Sequence, residues 1–333
     1  MAHANKRVIA RTVFTWAGLL GLCIVVILNR HNLVAFWHAL HNLRWYILVV
    51  VVVIQIGSYW VNGLYYRSIL RIFTYDVGVT RLFEGALATN FVNYVVPTAG
   101  LAGAGFLSQV LAPDVPRGTS VLTQLMRYAL SALSVLVMMP VGLALVVMAG
   151  LSHHGIVRAT LTSAGAIAAL AFVLVGLVQQ EHLLRRVVQW LPRALRRVVK
   201  RFRGDEALNN FVDQFYVGYH AMGRQKTRML VPFTWSMVYI LIEVFTFYLA
   251  FVAFSIHEPL GAVIMAYLFA NIASTFGGVF FSTGTFELGM VGTLVALGSP
   301  FAIAFSVTLV YRVLNLLIGL PPGYVFYRKY LPK

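Results

Sequence analysis

The sequence predicts an all-α polytopic membrane protein with about six full transmembrane helices and two re-entrant hairpins, arranged as an inverted repeat. The 333 residues are 60% hydrophobic and 11% charged, with a mean hydropathy of +0.81, whereas soluble domains are about 25% charged. Apolar runs of about 18 residues or more recur along the chain, which is typical of membrane helices. Two such runs, residues 85–127 and 271–312, are interrupted by glycine and proline and contain ionisable groups. Broken backbone and charge at membrane depth usually mark a functional site.

The unbroken apolar runs define six predicted spans. In chain order they are residues 12–29, 45–65, 119–149, 159–178, 229–254 and 300–320. The first follows Lys6, Arg7 and Arg11, and we interpret it as a retained helix because no small-residue cleavage site comes after it. The two broken stretches, about 84–112 and 260–297, are predicted to enter and leave the membrane on one side.

The net charge of +16 would suggest a nucleic-acid partner in a soluble protein. Here Lys and Arg cluster between apolar spans, so a positive-inside topology and contact with anionic lipid explain them better, and no nucleic-acid partner is expected. With two re-entrant hairpins, 21 of the 26 Lys and Arg residues lie on the side of both termini. We therefore predict a multi-pass protein of the cell (inner or plasma) membrane with cytoplasmic termini and a cytoplasmic, amphipathic basic loop at 179–228.

The predicted elements repeat within a single integral membrane domain spanning residues 1–333. The first unit covers about 45–149, the linking helix 159–178 precedes the basic loop, and the second unit covers about 229–320. A single linking helix makes the second unit inverted. An offset of 185 residues places Thr123 on Thr308 and Arg127 on Arg312. Inverted units with interrupted helices are a transporter architecture.

The intramembrane arginines are the main candidates for ligand binding. Arg127 and Arg312 each follow a threonine, Thr123 and Thr308, by four residues, so each pair can offer a guanidinium and a hydroxyl to one oxyanion. The hairpins add further candidates: Asn93, Pro97, Thr98, Ser282 and Thr283. Glycines allow close backbone approach, and helices that begin at the hairpin tips would favour anions. This pattern predicts a site for an anionic headgroup.

The intramembrane carboxyl groups have two interpretations. Glu287 is a candidate gate or proton-coupling group, and Glu243 is a second coupling candidate that could also face lipid or pair across the bundle. Alternatively, Arg127 or Arg312 forms a static ion pair with one of these glutamates. Both interpretations are open at this point.

No metal site, cofactor or catalytic activity is expected from the motifs. The histidines His31, His38 and His41 have no Cys or carboxylate nearby, so solvated or headgroup-facing positions explain them better than a metal. The sequence has no Walker-type GKS or GKT, no HExxH, no GxSxG and no Asp-rich pair. We therefore expect a protein that is not an enzyme.

Several short motifs resemble the lysylphosphatidylglycerol synthase transmembrane region, also called the flippase-like domain. They are Asn93, Pro97, Gly100 and Gly103, then Gly284 and Glu287, then Tyr311 and Arg312. The resemblance covers about residues 11–327. It departs from the family pattern at 103–109, which contains no arginine, and at Ser282, Thr283 and Gly284, where a Pro-Gly is usual.

The resemblance implies a stand-alone member that lacks the aminoacyl-transferase domain and moves a phospholipid between leaflets. Some stand-alone members are associated with anionic phospholipids or polyprenyl-linked sugars. Our leading hypothesis is therefore flipping or scrambling of an anionic phospholipid through a polar mid-membrane cavity. The alternatives are a lipid-linked phosphate or sugar transferase, a polyprenyl-phosphate carrier, and a non-transporting lipid-binding scaffold. The sequence leaves homo-oligomer formation open.

Overall fold

A computed structural model describes residues 43–95, 100–151, 154–180, 213, 216–217, 226–277 and 284–331. These residues contain α-helices, one short 3-10 turn and no strand. The helices are α1 (Trp45–Ile72), α2 (Val79–Val95), α3 (Leu101–Leu111), α4 (Arg117–Met148), α5 (His154–Gln179), α6 (Leu230–Ala253), α7 (Leu260–Gly277), α8 (Thr285–Ala296) and α9 (Phe301–Tyr330). The predicted span 12–29, the three histidines and most of the basic loop lie outside the described residues.

Four of the described helices are long and apolar enough to cross a membrane: Trp45–Ile72, Arg117–Met148, Thr227–Ala253 and Phe301–Tyr330. They coincide, apart from one residue at an end, with the predicted spans 45–65, 119–149, 229–254 and 300–320 or extend beyond them. The predicted span 159–178 falls within α5, which has 26 residues. These elements confirm an all-helical membrane protein.

Two helices continue beyond their predicted ends. The apolar run of α1 stops before Arg67, but the helix continues to Ile72 because Ile69, Leu70 and Ile72 are buried against other helices. Helix α9 passes through Pro321 and Pro322 to Tyr330. Proline removes a backbone donor and normally ends or kinks a helix, but packing against neighbouring helices preserves such segments in membrane proteins.

Each broken stretch is a pair of shorter helices that pack against each other. The breaks end at Gly100 and Gly284, whose φ angles of +86° and +105° suit glycine. Arg81 at the start of α2 is ion-paired with Asp114 just after α3, and Ser299 after α8 donates to Glu258 just before α7. Each pair therefore returns to the end of the bundle where it began.

The two predicted units make corresponding contacts. Helix α1 packs against α2 as α6 packs against α7, and α3 packs against α4 as α8 packs against α9. Across the units, α2 contacts α9 and α7 contacts α4. The backbone N–H of Arg44 donates to the carbonyl of Ala253 at 2.9 Å, so the start of α1 lies beside the end of α6. Helices α1 and α6, which correspond at the 185-residue offset, therefore run antiparallel.

The contacts between units depend on small residues. A Cβ on Gly323 of α9 would lie 2.7 Å from the carbonyl oxygen of Leu87 in α2, and one on Gly261 of α7 would lie 2.6 Å from the backbone nitrogen of Val146 in α4. Glycine lets membrane helices approach this closely. The largest apolar core among the described residues lies around Phe247 and includes Tyr267 and Tyr311.

Candidate anion-binding site between the two units

Arg127 lies inside the bundle without a carboxylate partner among the described residues. It follows the first residue of α4 by ten positions, which places it about 15 Å along the helix. Its Nε donates to Asn62 Oδ1 at 3.1 Å. The guanidinium carbon is 5.2 Å from the ring centroid of Tyr66 and 6.0 Å from those of Tyr65 and Tyr128. Aromatic faces attract a cation, but they leave its net charge uncompensated.

Arg312 has a different environment on α9. Its Nε donates to Glu287 Oε1 at 2.5 Å, and a terminal nitrogen donates to the Tyr94 hydroxyl at 3.1 Å. The other carboxylate oxygen of Glu287 accepts the backbone N–H of Gly284 at 3.0 Å and caps α8. For Arg312, the structure therefore contains the ion pair that the sequence left open.

Both arginines are connected to the start of a hairpin's second helix. The hydroxyl of Tyr128, which follows Arg127, lies against Gly100 at the start of α3. Glu287 bridges Arg312 to Gly284 at the start of α8. A helix N-terminus carries partial positive charge. The first turn of α3 has no acidic residue, whereas α8 has Glu287, so the first unit carries the greater positive charge.

The two predicted threonines are buried, but neither hydroxyl bonds to its arginine among the described residues. Thr123 donates to the backbone carbonyl of Thr119 at 2.9 Å, which is an internal helix contact. The Thr308 hydroxyl is buried and has no hydrogen-bond partner in the described part of the chain. An unpaired buried hydroxyl costs free energy, so Thr308 can accept or donate a bond to a ligand without losing one.

Of the ligand-binding residues predicted in the two hairpins, the structure describes only Asn93. The side-chain oxygen of Asn93 accepts the backbone N–H of Gly103 at 3.0 Å and so joins α2 to α3. This contact orders the first hairpin. The other tip candidates, Pro97, Thr98, Ser282 and Thr283, lie outside the described residues.

Glu243 is buried within α6 and faces other helices rather than lipid. Its carboxyl group accepts hydrogen bonds from Gln55 Nε2 at 3.0 Å, Ser58 Oγ at 3.0 Å and the Tyr311 hydroxyl at 2.8 Å. It forms no ion pair with either arginine among the described residues. Of the interpretations considered from the sequence, pairing across the bundle with polar donors is the one observed.

The lysylphosphatidylglycerol synthase TM region family matches residues 8–323 of this sequence. The chain belongs to this family. That result confirms the resemblance seen at the hairpin motifs, and it places the chain among membrane domains linked to lipid handling.

A curated relative, a UPF0104 membrane protein from Methanothermobacter thermautotrophicus, is 28% identical over 128 residues. The match covers 37% of this chain and 38% of that relative, so it spans well under two thirds of the relative's length. No solved structure matches the chain.

Apart from Tyr311, which is part of a family motif, the sequence analysis did not identify the tyrosines around the two arginines. We use "central polar cluster" for Gln55, Ser58, Tyr59, Asn62, Tyr65, Tyr66, Tyr94, Arg127, Tyr239, Glu243, Tyr267, Glu287, Tyr311 and Arg312. Tyr239 lies near Glu243, Tyr267 and Arg127, and Tyr267 lies near Tyr94, whose hydroxyl accepts a hydrogen bond from Arg312. A signal was present in α1, where polar residues recur every three or four positions from Gln55 to Tyr66. Such spacing marks one helix face.

Proposed function

We propose that the protein moves an anionic phospholipid between membrane leaflets, by flipping or scrambling, with the lipid phosphate bound at Arg127. The supporting observation is the charge of Arg127 about a third of the way along α4, which has no carboxylate partner among the residues that the structure describes. A charged residue at the centre of a membrane helix costs about 3 kcal/mol on insertion scales. A phosphate would neutralise that charge and would reach it from a bilayer rich in such groups.

The surroundings of Arg127 suit phosphate in particular. Its Nε is held by Asn62, which orients the planar guanidinium, and the terminal nitrogens have no hydrogen-bond partner among the described residues. A guanidinium can form two parallel hydrogen bonds with phosphate oxygens. The hydroxyls of Tyr65 and Tyr66 already donate to the Arg127 carbonyl and to Gln124 Oε1, so the additional attraction for phosphate comes from the N-terminus of α3, which adds positive potential.

The architecture in this proposal is an inverted repeat with two re-entrant hairpins. The return of each helix pair to its starting end and the antiparallel packing of α1 and α6 support it. With 11 and 12 residues, α3 and α8 are about 16–18 Å long, which is shorter than the hydrocarbon core of about 30 Å. The hairpin tips would then meet the arginines near the middle of the membrane.

In this scheme Glu287 acts as a gate. It neutralises Arg312 and caps α8, so a phosphate that replaced it on Arg312 would break the ion pair that joins the start of α8 to α9. The travelling headgroup would thus meet one arginine without a carboxylate partner among the described residues, Arg127, and one that is paired with Glu287, Arg312. Both termini would be cytoplasmic in the cell membrane, where the basic loop 179–228 would gather anionic lipid.

The proposal involves no chemical reaction and no cofactor. A lipid-linked transferase would need a carboxylate to activate its nucleophile or to hold a metal. Glu243 accepts three hydrogen bonds from protein groups, and Glu287 is engaged by Arg312 and Gly284. These contacts favour lipid movement over the transferase alternative.

The proposal is tested by reconstituting the full chain in liposomes that contain fluorescent phosphatidylglycerol or phosphatidylcholine, with a membrane-impermeant quencher reporting leaflet exchange. We expect Arg127→Ala to slow phosphatidylglycerol exchange about tenfold or more, the loss of roughly one charge-assisted contact. Arg127→Lys should retain part of the rate because it keeps the charge but loses the planar fork.

Arg117→Ala is the matched control, because Arg117 lies exposed at the start of the same helix. Its exchange rate should equal that of the wild type. An Arg127→Ala protein with the wild-type rate would overturn the proposal. Equal phosphatidylglycerol exchange in liposomes with and without the wild-type protein would favour the non-transporting scaffold instead.

A further inference from the structure

An apolar cleft opens on the outer surface of the bundle between α1, α2 and α9. Its volume is about 450 Å³, within the size range of ligand pockets. Its lining includes Val52, Ile56 and Tyr59 of α1, Leu87 of α2, and Leu317 and Phe326 of α9. The side chains of Ile56 and Leu317 are 49% and 64% exposed, so the cleft faces the surroundings of the bundle. For a membrane domain those surroundings are lipid hydrocarbon.

Tyr59 joins the cleft to the central polar cluster. Its ring lines the apolar cleft and is only 6% exposed. Its hydroxyl lies against Gly319 and interacts with Asn90, Arg312 and Glu243. A tyrosine placed in this way has an apolar body in the cleft and a polar end in the cluster. The cleft and the cluster are therefore adjacent, with the side chain of Tyr59 as their shared wall.

The cleft also lies close to the Arg127 site. Asn62 follows Tyr59 by three residues on α1, a rise of about 4.5 Å, and Asn62 Oδ1 accepts from Arg127 Nε. A lipid with its phosphate at Arg127 would thus have the inner end of the cleft within one helical turn. Because a dry apolar space does not attract water, the natural occupant is hydrocarbon.

We infer that this cleft binds one acyl chain of the phospholipid whose phosphate lies at Arg127. The inference rests on the proposed function for the position of the headgroup. It adds that recognition extends to the hydrocarbon part of the lipid, so the protein distinguishes lipids by chain length as well as by charge. Since the chain leaves lipid hydrocarbon and not water, each additional methylene contributes through van der Waals packing against the cleft wall.

The first test compares Ile56→Trp, which fills the cleft, with Val53→Trp, a matched change on α1 at a residue that is 64% exposed and does not line the cleft. The probes are phosphatidylglycerols with long chains in liposomes and with six-carbon chains in detergent solution. We expect Ile56→Trp to weaken binding of the long-chain lipid about tenfold and to leave binding of the short-chain lipid unchanged. Val53→Trp should change neither. Equal effects of Ile56→Trp on both lipids, or no effect, would overturn the inference.

A second measurement uses the unaltered protein, so that it does not depend on how the variant folds. Phosphatidylglycerol with a photoreactive group in its acyl chain should crosslink to cleft residues of α1 and α9 in preference to Val53. Labelling spread evenly over the lipid-facing surface would overturn the inference. Arg127→Ala separates the two proposals, because it should weaken the binding of both the long-chain and the short-chain phosphatidylglycerol. If Arg127→Ala changes neither lipid while crosslinking still maps to the cleft, the headgroup proposal fails alone.

Discussion

Ser58 donates a hydrogen bond to the carboxyl group of Glu243 at 3.0 Å, and these two residues are 185 positions apart. The same offset relates Arg127 to Arg312. When two similar units are related by a twofold axis, corresponding residues can touch each other only close to that axis. The bond between α1 and α6 therefore lies at the centre of the proposed repeat, with one arginine from each unit beside it.

We expect Glu243→Ala to destabilise this centre. The change removes the shared acceptor of Gln55, Ser58 and Tyr311. Ser58 can still donate to the Gln55 carbonyl, and each of the other two donors, once unsatisfied, costs about 1–3 kcal/mol. Thermal unfolding of the purified protein in detergent should show a clearly lower midpoint. Phe245→Ala is the control, because Phe245 is half exposed on the same helix. Similar small shifts for both variants would contradict a central role for this network.

Substitutions at Glu287 can separate the charge of this residue, which pairs with Arg312, from its capping of α8. In Glu287→Gln the side-chain oxygen can still accept from the Gly284 N–H, but the negative charge is gone. We expect Glu287→Gln to bind phosphatidylglycerol more tightly than the wild type in a lipid titration, since Arg312 then needs a new anion. The additional change Arg312→Ala should abolish that gain, and a gain that persists would contradict the gate.

The cap itself predicts a stability difference between two substitutions at this residue. Glu287→Ala loses both the ion pair and the cap on Gly284, whereas Glu287→Gln loses only the charge. Loss of an N-cap contact typically costs about 0.5–2 kcal/mol. The thermal unfolding midpoint should therefore be highest for the wild type, lower for Glu287→Gln and lowest for Glu287→Ala. The reverse order of the two variants would show that Glu287 does not cap α8.

The first hairpin should depend on the absence of a side chain at Gly103. A Cβ there would lie 2.6 Å from Nδ2 of Asn93, so Gly103→Ala must displace the side chain that joins α2 to α3. We expect a loss of about 1–3 kcal/mol from overpacking. Gly105→Ala is the control on the same helix, since nothing lies within 4 Å of its Cβ position. That change should be neutral or stabilising by up to about 1 kcal/mol, and equal midpoints for both variants would contradict the prediction.

The turn between α1 and α2 should respond to pH. Hydrogen bonds from Arg67 and Arg71 lower the pKa of the exposed Asp76 carboxyl. A lowered folded-state pKa gives a contribution that is present above the unfolded pKa and is lost as the pH falls through the folded pKa. Asp76→Asn should remove this loss of stability at low pH. The measurement is the thermal unfolding midpoint as a function of pH. High salt should reduce the effect, because the group is exposed.

Much of the fold followed from the sequence because hydropathy and helix breakers act locally. Apolar runs marked the four described spanning helices, and glycines marked the interruptions before α3 and α8. The extension of α9 through Pro321 and Pro322 could not be read in this way. Its continuation depends on contact of Gly323 with Leu87, a residue far away in the chain.

The site was predicted only in part. The two arginines and Glu287 were identified because a charge in an apolar run is conspicuous. The tyrosines around Arg127 were not, since tyrosine is common in membrane helices and its ring alone does not reveal which cation it faces.

The sequence by itself determined that this chain is embedded in a membrane, where its helices break, and which charges lie within the apolar stretches. These properties depend on the chemistry of neighbouring residues. Only the tertiary structure decided that Arg312 is neutralised by Glu287 while Arg127 faces tyrosines and Asn62. These partners lie on separate helices. Which of them is close enough to contact a buried charge depends on how the helices pack, and the order of residues in the sequence does not give those distances.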